Sequence, residues 1–431
     1  MDSQQKNIII AGAGFGGIKC ALRLYKFLKR DKTLDKYKII LIDKNREHSF
    51  TPNLYETASI VTKDCCNAAL MNASIAIDIK DIVNGKKIEF INDHITEIGV
   101  GTKNIKTASN QLNYEYLVLA LGSETNYFNI PGAREYGFPL KTLGDAIKLR
   151  EKIDTFFYPV REYSMTKFSN GVYSPTKTDI EIIIGGAGLT GVEIAGEFSH
   201  SLEKIKKLHR RQDILIKITL IEANPRILNG MPEKIATTAE KRLKKLGVKI
   251  VTNAKIKEAT KKFITYEQNG NIQNIPYSVF VWTAGIKTNK LLEELNIPED
   301  HKNRIIVNEF MEATNDIFAI GDIAVNLAAK NPAPGTAYMA EKEGKIAAEN
   351  IRVKITKKKT VKSFIAPANY PFVVPIGGKF AIAHIKKITI KGYLGWIIKI
   401  LVELNYLLSI LPIRKAVKKW IKTVKIIIKN D

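Results

Sequence analysis

Cysteine is scarce in this 431-residue chain, which has only Cys20, Cys65 and Cys66. Three thiols cannot build a disulfide framework, and none stands in a C-x-x-C pair. A reducing compartment is therefore expected and dithiol chemistry is not. Cys65 and Cys66 are neighbours, where side-chain geometry makes bridging awkward. Cys20 falls within an apolar-periodic helix, so it is expected to be a small buried hydrophobe. No metal-ligand spacing occurs, so no metal site is expected. Long apolar runs are also missing. The nearest approach, residues 394–411, contains Lys399, Glu403 and Asn405, which argues against a spanning helix. The apolar run at 7–11 is too short for a signal peptide.

Acids are the other shortage. There are 43 Asp and Glu against 67 Lys and Arg, a formal charge of +24. That sign predicts an anionic partner, nucleic acid or a phospholipid surface, unless the lysines are simply spread over solvated faces. No zinc spacing, aromatic RNA-binding cluster or helix-turn-helix pattern stands out, so nucleic acid is not expected.

What the chain has in abundance is short Val/Ile/Leu strands alternating with helical patterns, the signature of a parallel sheet in an α/β fold. One unit runs as a strand at 6–11, a glycine-rich turn at 12–17, a helix to about 30, and a strand at 38–43, with a closing strand at 114–122. A second repeats the order at 179–184, 186–191, a helix to about 209, 217–222 and 277–285. This matched order predicts two dinucleotide-binding modules. The Pro/Ser/Thr-rich stretch 158–178 suggests a boundary loop, and the lysine-rich 354–360 a solvated connector.

Each glycine-rich turn follows a strand and opens a helix, as a dinucleotide fingerprint requires. In the first, Gly12 allows the tight turn, Gly14 lets a pyrophosphate approach the backbone, and Gly17 lets the helix pack on the sheet. Phe15 and Gly16 complete that turn, and Asp43 ends the next strand, placed for a ribose diol. In the second, Gly186, Gly188 and Gly191 take the same roles around Leu189 and Thr190, and Glu222 takes the acid's place. An acid there favours NAD over a 2′-phosphate, although Arg226 nearby keeps NADPH open. Glu193 and Glu197 share one face of the opening helix. They are either dipole-placed surface acids or, for Glu193, a group that positions a nicotinamide or exchanges a proton.

As an ordered set the motifs resemble the type II NADH dehydrogenases, the non-proton-pumping NADH:quinone oxidoreductases of the pyridine nucleotide-disulfide oxidoreductase superfamily. The likeness rests on residues 11–18, on 47–56, on 120–128 with 130–132, on 188–197, on 282–286 and on 319–322. It implies a glutathione-reductase-like α/β fold with two Rossmann-like domains. The FAD domain would be split between 1–145 and 289–385, with an NADH domain inserted at 146–288. It also implies that Gly12, Gly14, Phe15, Gly16, Gly17, Asp43, Lys44, Pro52, Ala120, Gly122, Gly321, Asp322 and Ala337 hold FAD. Gly186, Gly188, Leu189, Thr190, Gly191, Glu222, Ala284 and Gly285 would hold NADH as co-substrate, with Glu193 near nicotinamide and flavin.

One departure concerns the acceptor. The family usually shows two glutamines at the start of the helix that here reads Gly335-Thr336-Ala337-Tyr338-Met339-Ala340-Glu341-Lys342. Tyr338 and Lys342 stand in their places, four apart on one face. Tyr338 would stack on a quinone and Lys342 would stabilise a developing anion; the plainer reading is a pair of surface helix residues.

The tail, residues 386–431, holds eleven Lys and Arg against two acids. From 413 to 429, Ile413, Ala416, Val417, Trp420, Ile421, Val424, Ile427 and Ile428 trace one stripe of a helix, with cations opposite. This predicts a basic amphipathic module lying on an anionic phospholipid surface, with Trp396 and Tyr406 as interface anchors. The expected function is NADH oxidation with electron delivery to a membrane quinone, at the cytoplasmic face of the cell membrane, with a homodimer as a further expectation. Two alternatives stand beside it: a reductase of a soluble ferredoxin- or rubredoxin-type acceptor, and a membrane-docked flavin redox sensor.

Overall fold

The computed structural model describes residues 5–61, 75–157, 179–329, 333–357, 361–367 and 369–430. Cys65, Cys66 and the stretch 158–178 lie outside them. The first sheet has the strand order Glu312–Thr314, Ile317–Ala319, Tyr116–Leu119, Lys6–Ala11, Tyr37–Asp43 and Ile88–Asn92. Its pairs are parallel except at the Glu312–Thr314 edge. Central strands of such a sheet are covered on both faces and read as unbroken apolar runs. Ile8, Ile9 and Ile10 are accordingly all fully buried, as are Ile39, Leu41 and Ile42.

The second sheet is also parallel, ordered Gly137–Pro139, Val279–Trp282, Ile180–Gly185, Ile216–Ile221 and Lys249–Val251. Gly137–Pro139 lies in this sheet although it precedes residue 146. The chain leaves the first sheet after Tyr116–Leu119, builds the second, and returns as Ile317–Ala319 beside the strand it left. The outward and return passages pair antiparallel as Ser123–Thr125 with Ile286–Thr288. That ribbon ties the two modules where their glycine-rich turns lie.

Helix Phe15–Arg30 packs on helix Ala337–Thr356, and glycines set their separation. A Cβ on Gly344 would stand 2.3 Å from the Gly16 carbonyl oxygen. Cys20 sits in this packing, fully buried, and desolvation raises its thiol pKa well above the ordinary value. The long spacing from Gly17 to Asp43 comes from the loop between Arg30 and Tyr37, clamped by Arg352 on the Asp31 carboxylate.

The C-terminal part begins earlier than the charge pattern suggests. Residue 386 lies in the turn of a hairpin, Ala381–Ile385 with Ile388–Gly392, which pairs with Phe372–Pro375. Helices Tyr393–Ile410 and Ile413–Asn430 follow. The first is long and apolar enough to cross a membrane by length and composition, yet nearly half of it is buried against the protein.

The tail's expected anchors turn inward. Trp396 and Tyr406 are 4% and 5% exposed and pack against the body, so neither is an interface anchor. Trp420 donates its indole N–H to the Ile400 carbonyl at 2.9 Å, stitching the two helices together. An indole inside an apolar contact needs such a partner, and the neighbouring helix supplies it. The apolar stripe of the last helix divides accordingly. Ala416 and Ile427 are buried, whereas Ile413, Ile421 and Ile428 are exposed.

Candidate functional site

The two glycine-rich turns are near copies of one another. Gly12 and Gly186 have φ of +110° and +99°, a region that L side chains avoid. A Cβ on Gly17 would stand 1.9 Å from the Gly12 oxygen, and a Cβ on Gly191 the same distance from the Gly186 oxygen. Close packing of turn and helix therefore requires glycine at all four positions. Gly14 and Gly188 are different, because a Cβ at either would meet nothing within 4 Å. The protein gives no reason for their small size, so the space they leave is available to a ligand.

The acids repeat the pattern. Asp43 Oδ2 accepts from the Ala13 N–H at 2.7 Å, and Glu222 Oε2 accepts from the Ala187 N–H at 2.7 Å. Glu222 Oε1 accepts further from the Asn224 backbone and side chain. Helices Phe15–Arg30 and Leu189–Leu208 begin at Gly14 and Gly188 with no side-chain cap. Their first N–H groups and positive dipole ends face the glycine openings, where an anion would satisfy them. Leu189 and Thr190 form the first turn of the second helix, as Phe15 and Gly16 do of the first. These residues fit a dinucleotide pyrophosphate at each turn.

The closing segments stand opposite. The Gly12 turn lies on the Ala120 carbonyl, and the Gly186 turn on Ala284. Gly122 has φ +66°, and the tip of the Phe128 ring lies over Gly285, 2.4 Å from where a Cβ would stand. Gly321 opens a short turn and donates its N–H to Glu343 at 2.6 Å. Asp322 accepts from Ser123 and from the Lys141 ammonium. Pro52 lies in the turn Thr51–Asn53, Ala337 begins its helix after the capping Thr336, and Lys44 is exposed beside Asp43.

Around the first turn the structure adds residues that the motifs did not single out. His48 is buried, with Nδ1 3.0 Å from the Ala13 carbonyl and Nε2 2.7 Å from the Tyr406 hydroxyl. A carbonyl only accepts, so Nδ1 carries the proton and Nε2 accepts from Tyr406. Burial, helped by Lys19 and Lys419, pushes the His48 pKa down to about 4 and keeps the ring neutral. The Phe15 ring packs edge-on to His48 at 4.9 Å and lies 5.0 Å from Tyr406. Lys19 reaches the Ser409 hydroxyl and pairs with Glu341 at 3.2 Å.

A second polar group lies between helix Leu54–Ala58 and the C-terminal helices. Lys399 pairs with Glu56, both nearly buried. Asn53 donates to Glu403 at 2.9 Å. Asn430 accepts the Val61 N–H at 3.0 Å, and its carbonyl accepts from Lys204 at 2.8 Å. Glu193, on helix Leu189–Leu208, looks onto this group. Desolvation pushes its carboxyl pKa up to about 8, with Lys399 opposing and Glu56 adding to the shift. It can therefore hold a proton at neutral pH. Glu403 is raised to about 6 by burial, against the hydrogen bond from Asn53 and the charge of Lys399.

Tyr338 and Lys342 do share one helical face. The Lys342 ammonium is 5.4 Å from the Tyr338 ring centroid, a cation lying over an aromatic.

Sequence and shape comparisons relate the chain to known proteins. Residues 6–344 match the pyridine nucleotide-disulphide oxidoreductase family. The chain is similar to a type II NADH:quinone oxidoreductase of Staphylococcus saprophyticus, 27% identical over 358 residues covering 82% of this chain and 83% of the relative. The Staphylococcus aureus protein of the same name is 26% identical over the same share of each chain. In shape the chain resembles NDH2 from Plasmodium falciparum in complex with NADH, with a TM-score of 0.77, 20% identity and 98% of both chains covered. It also resembles the sulfide:quinone oxidoreductase of Aquifex aeolicus, with a TM-score of 0.75 and 19% identity, covering 95% of this chain and 92% of that one.

Proposed function

The chain belongs to the pyridine nucleotide-disulphide oxidoreductase family, and we propose that it is an NADH:quinone oxidoreductase that works without pumping protons. The observation that carries the reading is the duplicated turn, each copy with its ligand-facing glycine and its acid. The names of the staphylococcal relatives and the NADH-bound Plasmodium protein point the same way. The sulfide-oxidising neighbour in shape uses a fold that does not choose the substrate. Against sulfide chemistry here, Cys20, the one cysteine among the described residues, is buried with its thiol pKa raised, and Cys65 and Cys66 are sequence neighbours, where bridging is awkward.

In this reading FAD, when bound, would supply the two-electron redox chemistry between NADH and a quinone. Gly12, Gly14, Gly17 and Asp43 would hold its ADP half, and Gly321 with Asp322 would hold the ribityl and pyrophosphate region. Lys141, bonded to Asp322, adds a cation there. Gly186, Gly188, Gly191 and Glu222 would hold NADH, and Glu222 would repel a 2′-phosphate. Reduction of a quinone consumes one proton beyond the hydride, and the Glu193 carboxyl keeps one available near pH 7. Lys342, held over Tyr338, stabilises negative charge on the acceptor oxygen.

The domain division expected from the sequence, with the FAD domain interrupted by the NADH domain, is part of the same proposal. The exposed Ile413, Ile421 and Ile428 beside exposed Arg414, Lys418, Lys422, Lys425 and Lys429 suit a membrane surface at the cytoplasmic face. Two cations of that helix face the body instead: Lys415 pairs with Asp81 at 2.7 Å, and Lys419 donates to the Ala76 carbonyl.

Stopped-flow spectroscopy tests the reading. NADH should bleach the flavin absorbance and a short-chain quinone should restore it. Failure to bleach overturns the reading as a whole, whereas bleaching without restoration overturns the acceptor.

A further inference from the structure

Apart from the nucleotide turns, the molecule carries an open groove of about 890 Å³ between helix Glu233–Lys245 and the approach to helix Tyr393–Ile410. Lys234, Lys241 and Lys245 line one wall and Lys391 the other. The three helical lysines follow at steps of seven and four, so they form a row along one face. All four are exposed, and among the described residues none is ion-paired. Glu233, at the head of the row, is the one acid in the lining. Glu240 faces elsewhere and is paired with Lys244 at 2.6 Å.

The groove has a fixed shape. Arg242 donates to the carbonyls of Ile376 and Gly377 at 3.1 and 2.8 Å, and its guanidinium lies 4.7 Å from the Phe380 ring centroid. Those bonds bolt the nucleotide-domain helix to the C-terminal hairpin, leaving the lysines free of structural duty. Lys391 and Gly392 run directly into Tyr393 and Leu394, which are 57% and 63% exposed, and Ile388 on the same hairpin is 65% exposed. A row of unpaired cations thus borders an exposed apolar surface, the order of chemistry found on passing from phosphate headgroups to acyl chains.

We infer that this groove cradles the phosphodiester headgroups of anionic phospholipids, so that the nucleotide domain touches the membrane as well as the C-terminal helices. The inference rests on the membrane-surface reading above and extends it to Lys234, Lys241 and Lys245, which lie far from the basic tail in sequence. Contact at two separated places fixes the tilt of the protein on the surface, which one amphipathic helix cannot do. The headgroup is recognised as a mobile diester anion, and the cations act as point charges with no demand for bidentate geometry.

Vesicle co-sedimentation of the full-length, flavin-loaded protein tests this. The probes are phosphatidylcholine vesicles and vesicles enriched in phosphatidylglycerol. The triple variant Lys234→Gln, Lys241→Gln, Lys245→Gln should bind anionic vesicles roughly a hundredfold more weakly, at about fivefold for each cation at an anionic surface. Its binding to neutral vesicles and its melting temperature should not change. The triple Lys→Arg variant should restore anionic binding. Wild-type affinity in the Gln variant overturns the inference alone, and so does an equal loss on both vesicle types. A second variant, Ile413→Ser with Ile421→Ser and Ile428→Ser, should lose binding to both. If the wild-type protein binds neither vesicle, the membrane reading falls and the groove inference with it.

Discussion

The ammonium of Lys399, on the first C-terminal helix, is bonded to the carboxylate of Glu56, beside the first glycine-rich module. Their side chains are 8% and 4% exposed, so the pair is sealed from water. A tail that composition alone marks as a membrane foot is thereby part of the site's interior. The same helix sends Glu403 to Asn53 and Tyr406 to His48.

Breaking that pair should be costly on one side and mild on both. Lys399→Met leaves the Glu56 carboxylate buried without its cation, which costs about 3–5 kcal/mol. Lys399→Met with Glu56→Gln should recover most of that loss. Urea unfolding of the flavin-loaded proteins measures both, and equal stability of the single and double variants would refute the assignment.

Stability should depend on pH through Glu193. Its folded pKa, about 8, lies above the ordinary carboxyl value of 4.5. The folded protein therefore keeps a proton that the unfolded chain releases between these values. This contribution is fully present below about 4.5 and is lost as pH rises through about 8. Glu343, raised to about 8 by burial despite the hydrogen bond from Gly321, acts in the same direction. Glu193→Gln should flatten the decline in the urea midpoint from pH 5 to pH 8. In turnover assays it should also remove an ionisation near pH 8.

The open glycines should separate folding from cofactor retention. Gly14→Ala and Gly188→Ala meet no protein atom, so the ligand-free fold should be unaffected within about 0.5 kcal/mol. Gly14→Ala should purify with little FAD. Gly188→Ala should keep FAD but raise the KM for NADH at least tenfold. Gly17→Ala and Gly191→Ala, whose Cβ atoms would meet backbone oxygens, should instead lower the melting temperature.

The acceptor pair should affect only the second half of the reaction. Lys342→Ala removes the cation over Tyr338 and should slow reoxidation of the reduced flavin by quinone at least tenfold. Bleaching by NADH should be unchanged. A variant slowed equally in both halves would assign Lys342 to packing instead.

The nucleotide site was legible because its chemistry is local. Gly12, Gly14 and Gly17 are required by one turn, and Asp43 ends the next strand, one helix further along the chain. Periodicity likewise marked the last helix, Ile413–Asn430. His48 and Glu56 fall in the motif at 47–56, but nothing local told their partners, and Lys141 and Glu343 were not singled out at all. His48 faces Tyr406 across more than three hundred residues of chain, and no local pattern reports that distance.

What the sequence determined by itself was the pair of α/β modules and the chemistry of their turns. Strand burial and tight turns leave their mark on neighbouring residues, and these can be read in order along the chain. Only the tertiary structure decided which way the tail faces. An amphipathic helix has one apolar stripe, and the stripe does not say whether protein or lipid covers it. Packing divided it, turning Trp396, Tyr406 and Trp420 toward the body and leaving Ile413, Ile421 and Ile428 outside. Packing also carried Lys399 and Glu403 inward, because a buried ammonium and carboxylate are tolerated only where partners such as Glu56 and Asn53 wait for them.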